Sequence, residues 1–550
     1  MMNHYFNPIV VAAICCATLL SSCKPKIDVE NPSVANYGNP FLPLWEYIPD
    51  GEPYVFEDPD QPGKYRVYLY GSHDDLVTEY CGRDQVVWSA PVEDLTSWRY
   101  DGVILVVDKD ANGQPFDSAG TADVLFAPDV TCVTNGDGSK TYYLFPNDQA
   151  GGRNGLIAKS DRPDGPFEVC NWSKDDPTKA EGVFGFDPAV FVDDDGRVYG
   201  YWGFERSLAA ELDPATMCTV KPGTEIVEDM VSGRYQEGVF SFFEASSIRK
   251  VKDKYIFIYS RFTKDGEYGL PVSNYTLAYA YSDHPLGPWT YGGTIIDGRA
   301  RDVNEQGDTI ATATVDGNTH GSICEINGQW YVFYHRQTGL DEYSRQAMVA
   351  PIEVKVEEGE GGKVEISEGE YTSEGFSLNG LDPLRRYPAG IACWYTGPKV
   401  AEHNWPNNTF YGSYVQGTRY NNTPVEGNPY SLDNNPCSVV NNTDGSIVGY
   451  KYFNFDNTQS EPLSLLLTII PKGIDGTIEV MADRPWESQG GISLGKVEVK
   501  ADMPLETTTE LEIPLPTLSE LTGKHAIFLK FSSEVKEQSI CSLEFLTFSK

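Results

Sequence analysis

The sequence predicts an all-β protein, a five-bladed β-propeller followed by a β-sandwich of the jelly-roll kind. Two patterns and a composition carry the prediction. A short aromatic strand recurs five times, as Lys64-Tyr-Arg-Val-Tyr-Leu-Tyr70, Lys140-Thr-Tyr-Tyr-Leu-Phe145, Arg197-Val-Tyr-Gly-Tyr-Trp202, Lys254-Tyr-Ile-Phe-Ile-Tyr259 and Gln329-Trp-Tyr-Val-Phe-Tyr334. Five such units with little helical periodicity between them indicate a radially repeated sheet, with blades of roughly sixty residues and long connecting loops. Beyond about Tyr395 the aromatic repeat is gone and short alternating strands take over, which suits a sandwich. The 33 Tyr, 25 Phe, 10 Trp and 52 Gly favour strands and tight turns throughout.

Taken in chain order, the first element is a leader. Ile9 to Leu20 is apolar and free of charge, yet shorter than the roughly 20 residues that cross a bilayer as a helix. It runs into Leu20-Ser21-Ser22-Cys23, which resembles the lipobox of bacterial lipoproteins. That resemblance implies a signal peptide over 1–22 and lipidation of Cys23. A tether over 23–37 and attachment to the outer membrane of a bacterial envelope follow, with the periplasmic or surface face open. The eight cysteines beyond Cys23 form no CxxC pair and are widely scattered, which fits single thiols better than a disulfide scaffold or a zinc site.

The propeller is expected over 38–355. Each repeat strand is followed by a turn, clearest in Ala158-Lys-Ser-Asp-Arg-Pro-Asp-Gly-Pro-Phe167 and Tyr279-Ala-Tyr-Ser-Asp-His-Pro-Leu-Gly-Pro-Trp289, where Pro and Gly pin the chain reversal. About nine to fourteen residues upstream of each repeat strand lies an acidic or imidazole side chain: Asp50, Asp129, Asp187, Glu244 and His320. In a propeller the innermost strand of each blade lines the axis, so this shared phase sends four carboxylates and one imidazole towards one funnel. Single Asp residues beside Pro are ordinary turn formers. A regular phase of acids at apolar strand starts is not, because an unpaired buried charge is costly.

Facing carboxylates in a closed cup are what glycoside hydrolysis needs: one acid protonates the leaving oxygen, and a second carboxylate activates water or attacks carbon. Nucleic acid is a poor partner for this chain, since 42 basic against 80 acidic residues give a net charge of −38.

Phe186-Asp-Pro-Ala-Val-Phe-Val-Asp-Asp-Asp-Gly196, Phe242-Phe-Glu-Ala-Ser-Ser247 and Asn318-Thr-His-Gly-Ser322 together resemble glycoside hydrolase family 43, five-bladed propeller enzymes acting on arabinose- and xylose-containing glycans. The resemblance covers about 38–355. It implies Asp50 as general base, Glu244 as general acid and Asp187 as the residue that tunes the acid. The family inverts configuration, which would set the Asp50 and Glu244 carboxyls about 6.5 to 9.5 Å apart. It further implies His320 as the channel residue that holds Ca2+ or another cation, mostly through water, with no cofactor in the chemistry itself. Arg345 would reach the bound sugar or form a structural salt bridge. Asp129 and Phe126 would contribute to substrate binding from the second blade, and Trp88 would line the cup. The first motif departs from the family, with Asp50-Gly51-Glu52-Pro53 in place of Asp-Pro, so Glu52 is an alternative base.

The acidic, Gly-rich Glu357-Glu-Gly-Glu-Gly-Gly362 opens an expected linker over 356–394. Within 395–550, Gly476-Thr-Ile-Glu-Val-Met-Ala-Asp483, Gly495-Lys-Val-Glu-Val499 and Gly523 to Phe531 are similar to family 6 carbohydrate-binding modules. Trp405, Trp486 and Tyr395 are its candidate sugar-stacking residues. The expected activity is that of an exo-acting inverting glycosidase, an α-L-arabinofuranosidase working on plant polysaccharides or their oligosaccharides. β-Xylosidase and β-D-galactofuranosidase are the enzymatic alternatives. A non-catalytic glycan-binding lipoprotein is the rival from another class. The retaining fructan-cleaving propellers fit poorly, since Asn147-Asp148 continues as Gln149-Ala150.

Overall fold

The structure, a computed structural model, describes residues 38–417, 437–458 and 462–550. The leader, the tether and Cys23 lie outside the described residues.

Five antiparallel sheets succeed one another along the chain, each formed by neighbouring strands in sequence order. Blade 1 comprises Glu52–Glu57, Tyr65–Tyr70, Gln85–Pro91 and Arg99–Leu105, and blade 2 Asp129–Thr134, Lys140–Phe145, Ala158–Ser160 and Glu168–Val169. Blade 3 holds Ala189–Val192, Val198–Trp202, Leu208–Leu212 and Val227–Glu228, and blade 4 Phe242–Val251, Lys254–Arg261, Thr276–Ser282 and Thr290–Asp297. Blade 5 has three strands, Ser322–Ile326, Gln329–Gln337 and Arg345–Ile352. The five aromatic repeats are the second strands of the five blades.

Alternation explains why the blades stack. Successive side chains of a strand point to opposite faces, so each second strand serves two inter-blade cores. Val67 and Leu69 face blade 5 with Phe333 and Val349, while Tyr68 and Tyr70 face blade 2 with Tyr142 and Leu144. Likewise Phe257 and Tyr259 pack towards blade 3, and Ile256 and Ile258 towards blade 5. Polar alternation is lost because both faces are buried. The ring closes at its first and last blades: Gly51 bridges Gly321, and Asn39 clasps Val349 through both backbone groups, at 2.8 Å to its carbonyl and 3.1 Å from its N–H.

The C-terminal part is two antiparallel sheets. One carries Tyr414–Gln416, Ser438–Asn442, Cys541–Ser549, Leu463–Pro471 and Thr509–Leu515, the other Trp394–Thr396, Ile447–Asn454, Lys524–Ser532, Gly476–Ala482 and Ile492–Val499. Leu463, Leu465, Leu467 and Ile469 from one sheet and Ile478, Val480, Ile527 and Leu529 from the other share one core at period two. That core runs without a break into the one between blades 4 and 5.

The stretch expected as a linker is folded structure. Val354–Val356 pairs with Val364–Ile366, and Tyr371, Leu381 and Tyr387 are buried in the joint core. Arg336 of blade 5, fully buried, donates to the carbonyls of Ala392, at 2.8 Å, and Gly390. The eight cysteines of the described residues are free thiols, six of them buried, with Cys132 half-buried and Cys170 exposed.

Candidate active site

The inner strands of the five blades begin around one cup of about 600 Å3, lined among others by Asp50, Phe126, Asp187, Glu244, His320 and Arg345. Asp50, Asp187 and His320 each stand two residues before an inner strand, and Glu244 sits in a register shift within the Phe242–Val251 strand. The backbone is strained here. Asp50 has φ 59°, Asp187 φ 48° and Ala245, next to Glu244, φ 68°. This left-handed region costs an L-residue about 1–2 kcal/mol and persists where the surroundings enforce it.

Asp129 and Trp88 do not reach the cup. Asp129 is the first residue of its strand, so it falls two positions deeper than Asp50, level with Glu52. Ala127 takes the cup position in blade 2. At about 3.3 Å per residue, two positions lower the side chain some 7 Å down the channel. There Asp129 accepts hydrogen bonds from Tyr54 Oη at 2.6 Å and Val190 N–H at 2.7 Å. Trp88, at 0% exposure, belongs to the core between blades 1 and 5, and its indole N–H donates to Glu46 at 3.0 Å. An aromatic at an inward phase of a middle strand meets the neighbouring blade, not the axis.

Glu52 likewise lies below the cup. Its carboxylate pairs with Arg249 at 2.7 Å, and Arg249 also donates to Tyr54 Oη at 3.0 Å. His320 sits between Glu52 and Asp187, with ring nitrogens 3.8 and 3.7 Å from their carboxylates. Burial opposes a charged ring, but Glu52, Asp187 and Asp50 outweigh it and push His320 up to about 9.

Asp50 and Glu244 are driven in opposite directions. Burial would raise Asp50, but Arg345 at 3.1 Å, the His320 charge and the Ser72 hydroxyl at 2.6 Å hold it below the usual carboxylate range. Its backbone N–H donates to His335 Nδ1 at 3.2 Å, while His335 Nε2 lies 2.9 Å from the Asn318 carbonyl. That pairing leaves the proton on Nε2, and burial lowers His335 to about 3, so its ring is neutral. Glu244 is 9% exposed and, among the described residues, has no cation within ion-pair distance. Burial and the nearby Asp187 carboxylate push it well above the ordinary value. Asp187 accepts from Asn147 Nδ2 at 2.8 Å and from the Ala245 N–H at 3.0 Å, and burial followed by the Asp50 charge raises it to about 6, against the pull of His320. The site therefore biases one carboxyl towards the ionised form and another towards the protonated form within the same cavity, which is the division of labour acid–base hydrolysis requires.

Arg345 lines the cup, yet its guanidinium is committed to protein acceptors. It forks onto Asp74 at 2.8 and 2.9 Å and reaches Asp50 with its remaining arm. The salt-bridge reading of this residue is present in the structure, and the residue also lines the cup.

Several lining residues were not legible in the sequence. Phe186, Phe204, Phe243 and Phe262 form a wall of rings about 5 Å apart, centroid to centroid. Phe186 and Phe243 are immediate neighbours of Asp187 and Glu244, a signal available from the motifs. Trp405 and His403 come from the C-terminal part and also line the cup. Trp405 had been a candidate for the sandwich. Tyr395 is buried in the joint core, and Trp486 packs on Trp394 beside a second cavity of about 300 Å3.

Comparison with known proteins matches the sequence model of Glycosyl hydrolases family 43 to residues 57–358. A xylosidase/arabinosidase of Thermoclostridium stercorarium is 33% identical over 92% of this chain and 98% of its own length. An arabinoxylan arabinofuranohydrolase of Paenibacillus polymyxa is 25% identical over 94% of this chain and 75% of its own. Among solved structures, a family 43 arabinoxylan arabinofuranohydrolase from Bacillus subtilis in complex with cellotetraose is 20% identical, covering 94% of this chain and 99% of that one with a TM-score of 0.42. The chain belongs to family 43 of the glycosyl hydrolases and is a glycosidase acting on O-glycosyl bonds.

Proposed function

We infer that the enzyme is an exo-acting, inverting α-L-arabinofuranosidase that trims arabinose-bearing plant glycans, with Asp50 as base, Glu244 as acid and Asp187 as the residue tuning that acid. The observation that carries the roles is the opposed displacement of Asp50 and Glu244 within one cavity. Asp50, kept ionised by Arg345, takes a proton from water as the water attacks the anomeric carbon. Glu244 gives its proton to the departing oxygen. Exchange with solvent then resets both carboxyls. Asp187 holds the Ala245 N–H, so it both fixes the backbone beside Glu244 and raises that carboxyl electrostatically. The names borne by relatives, xylosidase/arabinosidase and arabinoxylan arabinofuranohydrolase, support the sugar class. Hydrolysis of a nitrophenyl glycoside panel with NMR of the first-formed anomer tests the assignment. Preference for the α-L-arabinofuranoside with inversion is expected, whereas retention or release of internal fragments would refute it. β-Xylosidase activity is the second reading, favoured by the same paired names.

A divalent cation such as Ca2+ in the channel would be held through water by a neutral His320, the ion taking the place of the ring's extra proton as the positive charge facing Glu52 and Asp187. Among the described residues, both ring nitrogens and one Glu52 oxygen are buried without hydrogen-bond partners, which suits a hydrated ion. It would add positive potential beneath the carboxylates, and no proton transfer passes through it. Arg249 already balances Glu52, so chelation with EDTA should leave at least about half the turnover. Complete loss restored by Ca2+ would contradict this.

Two further assignments complete the reading. Cys23 is the lipid anchor in the bacterial envelope, tested by palmitate labelling of wild type against Cys23→Ser. The sandwich is a carbohydrate-binding module similar to family 6, supported by the roughly 300 Å3 cavity with Phe410, Tyr411 and Trp486 on its walls and tested by affinity electrophoresis in arabinoxylan.

A further inference from the structure

The cup is not built by the propeller alone. Glu402–Asn404 and Asn407–Thr409 pair as a hairpin projecting from the C-terminal part, and Trp405 stands at its tip. The hairpin is seated on the loop between the last two strands of blade 5: the Asn408 N–H donates to the Leu340 carbonyl at 2.8 Å, and Asn407 bridges Asp341. Side chains lock the same contact. His403 Nε2 lies 3.1 Å from Glu342, whose carboxylate also accepts from Tyr80 Oη.

Trp405 is 69% exposed, although it is a lining residue of the cup, and its indole N–H donates to Tyr80 Oη at 3.3 Å. A large aromatic ring held by a hydrogen bond at its edge, with its faces open to a catalytic cavity, is a stacking platform. Its level in the cup identifies the ligand. Asp50, Asp187 and His320 are buried at the floor, where the sugar being released must sit to meet both carboxyls. Trp405 is at the open rim, where the rest of the glycan leaves. Tyr80 links the two levels, since the Arg345 guanidinium lies 5.1 Å over its ring.

We propose that Trp405, delivered by the C-terminal hairpin, is the stacking surface for the leaving-group sugar, so that the sandwich sets the enzyme's preference for an oligosaccharide aglycone. This rests on the glycosidase reading of the cup above and extends it from the released sugar to the glycan behind it.

Calorimetry in a Glu244→Gln background, which binds without turning over, tests the proposal. The probes are an arabinofuranosyl-substituted xylotriose and free arabinose. Trp405→Ala should weaken binding of the oligosaccharide roughly tenfold or more, as removal of a central Trp contact does, and the loss should exceed that for arabinose at least fivefold. Trp405→Phe should recover most of the affinity, since it keeps a ring. Equal affinity of the Ala variant and its parent, equal losses for both probes, or a Phe variant as weak as Ala at an unchanged melting temperature would each overturn the proposal. If the wild-type enzyme cleaves no arabinoside in the glycoside panel while Trp405→Ala still weakens oligosaccharide binding, the sugar assignment fails and the platform stands.

Discussion

Glu244→Gln separates chemistry from stability, because the structure assigns the two effects opposite signs. Glutamine keeps the shape and removes the proton that the leaving oxygen needs, so turnover on an unactivated glycoside should fall about 10²–10⁴-fold. The loss should shrink on a 2,4-dinitrophenyl glycoside, whose leaving group departs unassisted. Stability should move the other way. In the folded protein Glu244 is raised well above its ordinary value of 4.5 by burial and Asp187, so it keeps its proton at a pH where the unfolded chain has released it. The native state then binds the extra proton, and its stability falls by about 1.4 kcal/mol per pH unit between the unfolded and folded pKa values. The penalty therefore grows as the pH is raised from 5 towards 7, and glutamine escapes it. Denaturant titrations of both proteins at the two pH values should show the variant gaining stability relative to wild type as pH rises. A variant no more stable at pH 7 than at pH 5 relative to wild type, or one retaining more than a tenth of the turnover, would refute the reasoning.

Other perturbations probe the remaining parts of the site. Asp187→Asn removes the carboxylate that, after burial, does most to raise Glu244, so the alkaline limb of the kcat/KM profile should shift to lower pH; an unmoved limb would detach Asp187 from the acid. Asp50→Asn should cost at least about a hundredfold in turnover with no relief from an activated leaving group. Glu52→Gln should instead destabilise the fold, by up to about 3–5 kcal/mol, because Arg249 is left buried without its carboxylate. If Glu52→Gln rather than Asp50→Asn took the hundredfold loss of turnover, Glu52 would be the base. Trp88→Ala should lower stability by about 3–5 kcal/mol through a cavity between blades 1 and 5, with KM for surviving enzyme close to wild type.

The five second strands were readable because their cause is local: each is an unbroken aromatic and aliphatic run flanked by turn residues, and burial on both faces enforces that composition. Asp50, Asp187, Glu244 and His320 were readable for a related reason, since ionisable side chains recur at one phase beside apolar inner strands, where no core would tolerate them singly. Asp129 shared their phase only to within two residues. A two-residue offset keeps the face and changes the depth, so the same pattern placed it under the cup. Trp88 showed the converse, an aromatic whose facing neighbour is another blade.

Strand content, the repeat, the change of texture near residue 360 and the acids of the cup were thus inherent in the chain itself, since nearest-neighbour sterics and alternation act over a few residues. Depth in the channel, the pairing of Arg345 with Asp50 and Asp74, and the arrival of Trp405 beside Tyr80 came only with ring closure and with the docking of the sandwich. Tyr80 and Trp405 are 325 positions apart. No local preference encodes such a contact; it exists because a shared core fixes two modules against each other and leaves one hairpin poised over the other's mouth.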